Sequence, residues 1–410
     1  MAVNDKENED IVKLWIRECL TDNHMSEYEV SFAKISEKGQ GYLSDIFFVK
    51  ATGLNERREK QEFDFVVKIS KKNETLRKSF PLRESFHREI YIYNEVIPTF
   101  KLFMNGKEAK FKLDFMPECY KTIFEDETEG IILENLKIRG FQLHCNTKPL
   151  NLEHIKLVLL NMAHFHAVSF AFRDQNEYEF NKLIMDFNSL LSITVEEQSM
   201  QTLFRTEMFT AIEFLKEIDE SELAKQLQER IQDDPNAILK SIYNKDIKQS
   251  VILHGDTWIN NYMFRYEDGD LTTPAAVAFL DWQISSLHSP ALDVSQFLYA
   301  VSSEEALVTH FEDLMVFYHS KLSSCLRELG SDPENIFPYS LLIEHWKKYS
   351  VASLIFVLGF LKTIVSEGDE VPATEDITCG LGDVFSNVKI TNMNAYKSRL
   401  VAIVKNFCSL

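Results

Sequence analysis

The front of the chain carries short runs of apolar and β-branched residues separated by polar turns, a pattern typical of β-strands. An amphipathic stretch at Ile11–Leu20 predicts an opening helix, and a helical pattern over 83–97 is closed by Pro98. The strand-like runs lie at 30–36, 45–51, 63–70, 112–117 and 130–136. These elements predict an antiparallel sheet accompanied by two helices.

From about Leu150 onward the apolar spacing becomes mostly helical, beginning with a dense apolar stretch over 152–172. Two strand-like pieces, 250–256 and 275–281, interrupt the helices, and we expect them to pair as a hairpin. The fold class is therefore α+β, with a β-rich lobe meeting a larger helical lobe at a cleft. The predicted limits are 1–133 for the first lobe, 134–140 for the hinge and 141–410 for the second lobe.

Composition and net charge make some classes of function less favoured than others. The 410 residues are 45% hydrophobic and 26% charged, typical of a globular protein, and the formal net charge is −19. This charge disfavours a main role in binding nucleic acid or an anionic membrane. The apolar run 351–365 is shorter than the about 20 residues of a membrane-spanning helix, so we interpret it as a core helix.

The cysteines and the N-terminal residues indicate in which cellular compartment the protein is expected. The six cysteines are scattered without a CxxC pair, and the first ten residues are polar and acidic rather than those of a secretory signal. We expect reduced thiols and a cytoplasmic protein. The sequence leaves the oligomeric state open.

The residues with the clearest chemistry follow the two strand-like pieces of the rear half. HGDTWINN offers His254, Asp256 and Asn261, and FLDWQ places Asp281 at the end of the next piece. Phosphoryl transfer needs a carboxylate to accept a proton and oxygen ligands to hold Mg²⁺. Either aspartate alone is explained as well by a turn or strand end, but their order and spacing together favour a phosphotransfer site.

The front half offers complementary groups. Lys68 lies within the apolar strand FDFVVKIS, where a buried ammonium needs an anionic partner, and Glu89 on the following helix is the natural candidate. Upstream, KGQGYLSD contains Gly39 and Gly41 in a turn whose backbone N–H groups could meet phosphate oxygens. Two glycines are a weak signal, because any hairpin turn uses them.

With these motifs in order, the chain resembles the insect ecdysteroid kinase-like family of the protein-kinase-like superfamily, alongside aminoglycoside phosphotransferases and choline kinases. The resemblance implies a bilobal protein-kinase-like fold that uses ATP and Mg²⁺. The segments that carry it are GQGYLSD, FVVKIS, FHREIYIY, PECY, IILENL, AHFHAVSF, VILHGDTWINNYMF and FLDWQISSLHSPALDVSQFL.

The resemblance also implies a role for each matching residue. Asp256 would be the catalytic base, and Asn261 and Asp281 the Mg²⁺ ligands. Lys68, held by Glu89, would contact the α- and β-phosphates. The remaining implied positions are Gly39, Gly41 and Ser44 in the phosphate turn, Glu134 to Leu136 as the hinge that meets adenine, and His254 with Asp293 as supports of the catalytic loop.

The implied activity is phosphorylation of a lipophilic alcohol, an ecdysteroid-like steroid or a xenobiotic metabolite. Its pocket is expected between helices of roughly 150–250 and 300–370. Alternatives are a choline- or ethanolamine-type kinase and a kinase-fold protein that only binds nucleotide or an apolar ligand. A protein kinase is disfavoured, because eleven residues between Asp281 and Asp293 leave no room for a peptide-binding segment. For His164 and His166, a packing or capping role is favoured over a shared zinc site.

Overall fold

The computed structural model describes residues 3–33, 41–125, 127–145, 147–185, 187, 189–231, 234–244, 247–267, 269–366 and 380–409. The fold is α+β, with a sheet-based front part and a larger, mostly helical rear part. The first helix and most of the front sheet form one buried cluster. The rear helices share a second, much larger cluster with residues of 76–104 and with Ile131 and Leu133 of the sheet.

The front part is built on a five-stranded antiparallel sheet with the order β1-β2-β3-β5-β4. Its strands are β1 (Ser26–Ala33), β2 (Ser44–Leu54), β3 (Lys60–Ser70), β4 (Cys119–Glu125) and β5 (Thr128–Glu134). Strand β3 lies at the centre, so Lys68 pairs with Ile46 of β2 on one side and with Ile131 of β5 on the other. This central position places Lys68 inside the front part.

Four helices accompany this sheet. They are α1 (Val3–Asp22), α2 (Glu74–Ser79), α3 (Leu82–Tyr91) and α4 (Ile97–Gly106). Helix α1 packs its Trp15 ring so closely on the sheet that a Cβ at Gly130 would lie 2.3 Å from the ring. Only glycine therefore fits beneath this ring.

Two front-half predictions were wrong. The chain over 112–117 forms no strand, and the fourth strand is Cys119–Glu125 instead. Pro98 does not close the helical segment, because a π-type turn at Ile92–Val96 leads directly into α4. Pro98 lies in the first turn of α4, where a residue without a backbone N–H is tolerated.

The short strands of the rear part pair differently from the predicted hairpin. Strand β6 (Phe141–Leu143) pairs with β8 (Tyr262–Tyr266), which in turn pairs with β9 (Pro274–Phe279). Strand β7 (Val251–Ile252) pairs with β10 (Leu287–His288) rather than with the segment that precedes Asp281. The expected pairing of 250–256 with 275–281 was wrong, since β8 is the nearer antiparallel partner of β9 along the chain.

The remainder of the rear part is helical. Its helices are α5 (Leu152–Gln175), α6 (Glu177–Leu183), α7 (Leu190–Thr194), α8 (Gln198–Glu217), α9 (Ser221–Arg230), α10 (Pro235–Tyr243), α11 (Pro290–Val301), α12 (Phe311–Glu328), α13 (Pro333–Ile336), α14 (Tyr339–Ile364), α15 (Leu381–Ser386) and α16 (Met393–Ser409). The apolar run 351–365 falls in α14 and its end and is largely buried, as the core-helix interpretation predicts.

Among the residues that the structure describes, one helix, α5, is long and apolar enough to cross a membrane. In the fold, 72% of its most apolar window is buried against other parts of the protein. Core helices of globular proteins satisfy the same length and composition criteria, so α5 gives only weak evidence for a membrane span.

Candidate functional site

Lys68 and Glu89 form the ion pair that the sequence predicts. The Lys68 Nζ lies 2.7 Å from Glu89 Oε2, and the two residues are 7% and 0% exposed. Burial raises the pKa of Glu89, while Lys68 counteracts this rise. For Lys68, burial opposes the charged form, but Asp281 and Glu89 outweigh it and raise the pKa. The lysine is therefore a cation held inside the protein.

Asp281, which belongs to the rear part, contacts the same lysine. Its Oδ1 lies 3.3 Å from Lys68 Nζ, and about a third of its side chain is exposed. The backbone φ of Asp281 is +62°, a left-handed conformation that aspartate tolerates better than most residues. Next to it, the Leu280 N–H donates to the Asn261 carbonyl at 2.9 Å, which joins this segment to the loop that carries Asp256.

Asp256 and Asn261 are directly joined by hydrogen bonds. The Asn261 Nδ2 donates to the Asp256 carboxylate at 2.8 Å and to the Asp256 carbonyl at 2.9 Å. Both Asn261 donors are thereby engaged, which leaves its side-chain oxygen as the atom able to bind a cation. Burial, aided by the charge of Asp281, raises the pKa of Asp256 to about 7.

Asp293 holds the loop from behind through two charge-assisted hydrogen bonds. Its carboxylate accepts the backbone N–H groups of His254 at 2.8 Å and Gly255 at 2.9 Å. The N-cap of α11 is Ser289, so Asp293 is not a simple helix cap. Gly255 has φ +87°, and a Cβ there would lie 2.4 Å from the Ile284 carbonyl oxygen. The loop can therefore take this path only with glycine at that position.

His254 ties the loop to the segment that carries Asp281. Its Nδ1 accepts the Asp256 backbone N–H at 3.2 Å, so the ring proton lies on Nε2, which donates to the Leu280 carbonyl at 2.9 Å. Burial lowers the pKa of His254 and keeps the ring neutral. This geometry places His254 between Asp256 and Asp281 as a structural link.

The sequence motifs gave no indication of two further contacts. His166 on α5 donates from Nε2 to the Asp293 carboxylate at 3.1 Å and accepts from the Tyr318 hydroxyl at 2.8 Å. Arg88, beside Glu89 on α3, donates to the Ser285 carbonyl at 2.7 Å and thus joins the two parts of the molecule. In the sequence, Arg88 was marked only by its position next to Glu89, and His166 only by its place within an apolar helical stretch.

The packing role favoured for both histidines agrees with the structure. His164 lies against the Phe111 ring at 4.7 Å, and His166 belongs to the Asp293 network. In the described parts of the chain, no three His, Cys, Asp or Glu side chains come together as a metal site.

The glycine turn is described only from Gly41 onward, and Gly39 lies outside the described residues. Gly41 has φ +82°, and a Cβ there would lie 2.4 Å from the Ser44 carbonyl oxygen, so the turn is tight. Ser44 is buried at the start of β2. Tyr42 of the same turn reaches the rear part, with its ring 6.1 Å from that of Trp258.

The segment predicted as the hinge contains the end of β5 and a 3₁₀ turn at Leu136–Arg139. Glu134 directs its carboxylate toward Arg139, 3.2 Å away, while Leu136 is 3% exposed and packs in a small cluster with Phe141 and Met263. Both side chains are thus engaged in shaping the segment. The backbone N–H groups of Glu134 and Asn135 also donate to carbonyls, those of Glu118 and Asp64, at 2.9 Å, so the adenine contact implied for this segment stays a prediction.

The comparison with protein families decides the classification. The family model named "Ecdysteroid kinase-like family" matches residues 38–331. The chain belongs to this family. The predicted α+β fold, with a sheet-based front part and a larger helical rear part, is confirmed. The structure brings Lys68, Glu89 and Asp281 together and joins Asp256 to Asn261.

Solved structures with some likeness to this chain include two GDP complexes of aminoglycoside 2′-phosphotransferase-IIIa. The wild-type complex is 11% identical, with a TM-score of 0.41, and the match covers 96% of this chain and 98% of that chain. A mutant complex is 14% identical, with a TM-score of 0.40 and coverages of 86% and 93%. The comparison with curated proteins gave no match.

Proposed function

We propose that the protein is an ATP-dependent kinase that transfers the γ-phosphate to a hydroxyl of a small lipophilic alcohol. The observation that carries this proposal is the meeting of Lys68, Glu89 and Asp281, beside a loop in which Asp256 and Asn261 are hydrogen-bonded. Membership of the ecdysteroid kinase-like family supports the same reaction class.

In this proposal, Asp256 accepts the proton of the attacking hydroxyl. Its pKa of about 7 gives it useful basicity at neutral pH, whereas an ordinary aspartate would be a weaker base. The side chains of Asn261 and Trp258 both form hydrogen bonds with the carboxylate and fix its orientation. Lys68, fixed by Glu89, contributes a positive charge to the phosphate oxygens of the nucleotide.

Asn261 and Asp281 are the residues proposed to hold Mg²⁺. An amide oxygen and one carboxylate fit this ion, since Mg²⁺ in such sites is bound by one or two carboxylates together with phosphate oxygens and water. The metal neutralises phosphate charge when bound. The exposed third of the Asp281 side chain leaves room for that contact.

The acceptor is proposed to be a small molecule rather than a peptide. The eleven residues between Asp281 and Asp293 form a short connection that contains β10 and the first turn of α11. The Ser285 hydroxyl donates to the Leu253 carbonyl, and the Leu253 N–H donates to the Ser286 carbonyl at 2.8 Å. This segment is thus held against the catalytic loop, where it offers no extended surface for a substrate chain.

An acceptor screen tests the proposal. ATP consumption is measured over ecdysteroids, other steroid alcohols, choline, ethanolamine and plant alcohols, with mass detection of the phosphorylated product. We expect phosphate on a lipophilic alcohol. Preferential phosphorylation of choline or ethanolamine would assign a different acceptor class, and efficient phosphorylation of generic proteins alone would contradict the proposal.

Replacing Lys68 tests the nucleotide contact. Lys68→Met removes a charge-assisted contact worth about 1.5–3 kcal/mol, so MgATP affinity or turnover should fall about 10–150-fold. The fold should persist, because Glu89 can take up a proton once its cation is gone. The matched control is Lys60→Met on the same strand, where the lysine is exposed and pairs with Glu62. If Lys68→Met and Lys60→Met bind MgATP with the same affinity and turn over at the same rate, the role assigned to Lys68 is refuted.

The raised pKa of Asp256 predicts how stability depends on pH. Aspartate has an ordinary pKa of about 3.9, so the ionised form of Asp256 is less favourable in the folded protein than in the unfolded chain. The folded protein therefore loses stability as pH rises above about 4, and the loss is complete above about 7. Asp256→Asn removes it, so the melting temperature of the variant should exceed that of the wild type more at pH 8 than at pH 5. Calorimetry without nucleotide or metal measures this, and an equal difference at both pH values would contradict the assignment.

A further inference from the structure

Trp258 contacts both the proposed base and the glycine turn. It follows Asp256 by two residues in the catalytic loop and is half-buried. Its indole N–H, the only polar group of this side chain, donates to the Asp256 carboxylate. Its ring lies 6.1 Å from the ring of Tyr42, which directly precedes strand β2 in the front part. One side chain of the rear part therefore touches the carboxylate and the turn.

The Tyr42 ring contacts a second ring of the rear part. Phe385 of α15 lies 5.3 Å away, measured between ring centroids, with the two planes at 61°. Both ring separations fall within the range of about 4.5–7 Å in which aromatic pairs are favourable. Burial raises the pKa of the Tyr42 hydroxyl, which shows that these contacts enclose the side chain. Tyr42 therefore holds the glycine turn against the rear part.

Helix α15 gives Phe385 a fixed position. The Gly382 backbone N–H donates to the Ser199 Oγ of α8 at 2.9 Å. The Phe385 ring lies 4.9 Å from the ring of Phe360 on α14, and Phe385 is 6% exposed. Because Phe385 is buried and α15 is joined to two long helices, a shift of the glycine turn changes the contact between Tyr42 and Trp258 rather than the position of α15.

The two contacts of Trp258 use different parts of its side chain. Packing on Tyr42 needs a flat aromatic surface, which phenylalanine also offers. The bond to Asp256 needs the indole N–H, a donor that phenylalanine lacks. The two contacts can therefore be removed one at a time by substitution.

We propose that Trp258 is a positioning residue that couples nucleotide binding to the orientation of Asp256. The inference rests on the proposed function and links its nucleotide site to its acceptor site. Nucleotide phosphates that contact the glycine turn fix Tyr42 against the Trp258 ring, and the indole N–H then fixes the carboxylate that accepts the proton. Because coupling between sites is reciprocal, loss of the contact between Tyr42 and Trp258 also weakens nucleotide binding.

Tryptophan fluorescence tests this coupling without an acceptor. Of the four tryptophans, Trp15, Trp282 and Trp346 are at most 4% exposed, whereas Trp258 is half-buried. Titration with MgADP should change the emission of the wild type. Trp258→Phe should lose most of this change, while calorimetry shows an MgADP affinity within about twofold of the wild type, because the ring contact with Tyr42 is kept. Trp346→Phe, in the core of the rear part, should retain the emission change.

Tyr42→Leu removes the ring contact and keeps the indole N–H of Trp258. It should bind MgADP about 2- to 10-fold more weakly, the scale of one aromatic pair, and should show little emission change even at saturating MgADP. Tyr42→Phe keeps the ring and should restore the emission change. The matched control is Tyr178→Leu, at a tyrosine exposed on α6, which should behave as the wild type in both titrations.

Steady-state kinetics on an acceptor found in the screen separate the two contacts. Trp258→Phe loses only the N–H, so kcat should fall about tenfold while KM for MgATP stays nearly unchanged. Tyr42→Leu loses the ring contact, so KM for MgATP should rise as well. A merely structural role would lower the melting temperature of both variants and change their kinetic constants alike, and this result would refute the inference.

The full emission change in Tyr42→Leu at saturating MgADP would overturn the inference, since Trp258 would then respond to the nucleotide without the turn. An emission of the wild type that MgADP leaves unaltered would do the same. If Trp258→Phe does not fold, Tyr42→Leu still decides between these outcomes. Failure of the proposed function gives a different result, in which MgADP binds and changes the emission but no alcohol in the acceptor screen is phosphorylated.

Discussion

Asp256→Asn is expected to reduce turnover by about 10²–10⁴-fold, the usual range for a positioned general base. The substitution keeps the size of the side chain and a hydrogen-bond partner for Asn261 but removes the group that accepts the proton of the acceptor hydroxyl. MgATP binding should be nearly unchanged, because Lys68 and Asp281 remain. Initial rates on a verified acceptor and nucleotide titrations measure the two effects separately.

The matched control for this variant is Asp313→Asn, in which an aspartate exposed on α12 is replaced. It should retain wild-type turnover and melting temperature. Full activity of Asp256→Asn on a verified acceptor would show that the assigned base is wrong. Equal losses in turnover and MgATP affinity would instead indicate that the substitution disturbs the nucleotide site.

Asp293→Ala is expected to lower the free energy of unfolding by about 3–5 kcal/mol, the scale for removing one partner from a buried charged network. The backbone N–H groups of His254 and Gly255 lose their acceptor, and His166 loses its carboxylate partner. Because these N–H groups fix the loop that carries Asp256, turnover should fall as well. Urea unfolding and turnover at a temperature where the variant stays folded measure both effects.

Asp293→Asn serves as the graded control for this prediction. The amide retains one oxygen that can accept a backbone N–H, so its loss of stability should be smaller than that of Asp293→Ala. Wild-type stability of Asp293→Ala would mean that the loop is held by other contacts.

The site contacts that the sequence predicted correctly join residues of the same loop or of consecutive elements of the chain. Lys68 in an apolar strand, followed by Glu89 on the next helix, required an anion close to a buried cation, and the structure pairs them. Asp256 and Asn261 lie five residues apart in one loop, so their contact follows from short-range geometry. Four of the five strands of the front sheet and the large helical part were likewise predicted from their apolar periodicity, whereas the strand Cys119–Glu125 was missed.

The predictions that failed depend on pairing between distant segments. Strand β7 has only two residues, too few for the sequence to show whether it pairs with β9 or with β10. The structure pairs β7 with β10, and β9 pairs with β8, which lies between β7 and β9 in the chain. The apolar residues of 112–117 indicated a strand, but Leu113 and Phe115 are buried in the rear core without strand pairing. His166 contacts a carboxylate 127 residues away, a distance that no local pattern reports.

Transfer of labelled phosphate from γ-³²P-ATP to a small alcohol tests the central claim most directly. The wild-type protein, Asp256→Asn and Asp313→Asn are each incubated with Mg²⁺ and the same panel of lipophilic alcohols, and labelled products are separated and identified by mass. The account predicts a labelled small-molecule phosphate with the wild type and Asp313→Asn and a strongly reduced yield with Asp256→Asn. Label on no alcohol in the panel, or equal label from all three proteins, would contradict it.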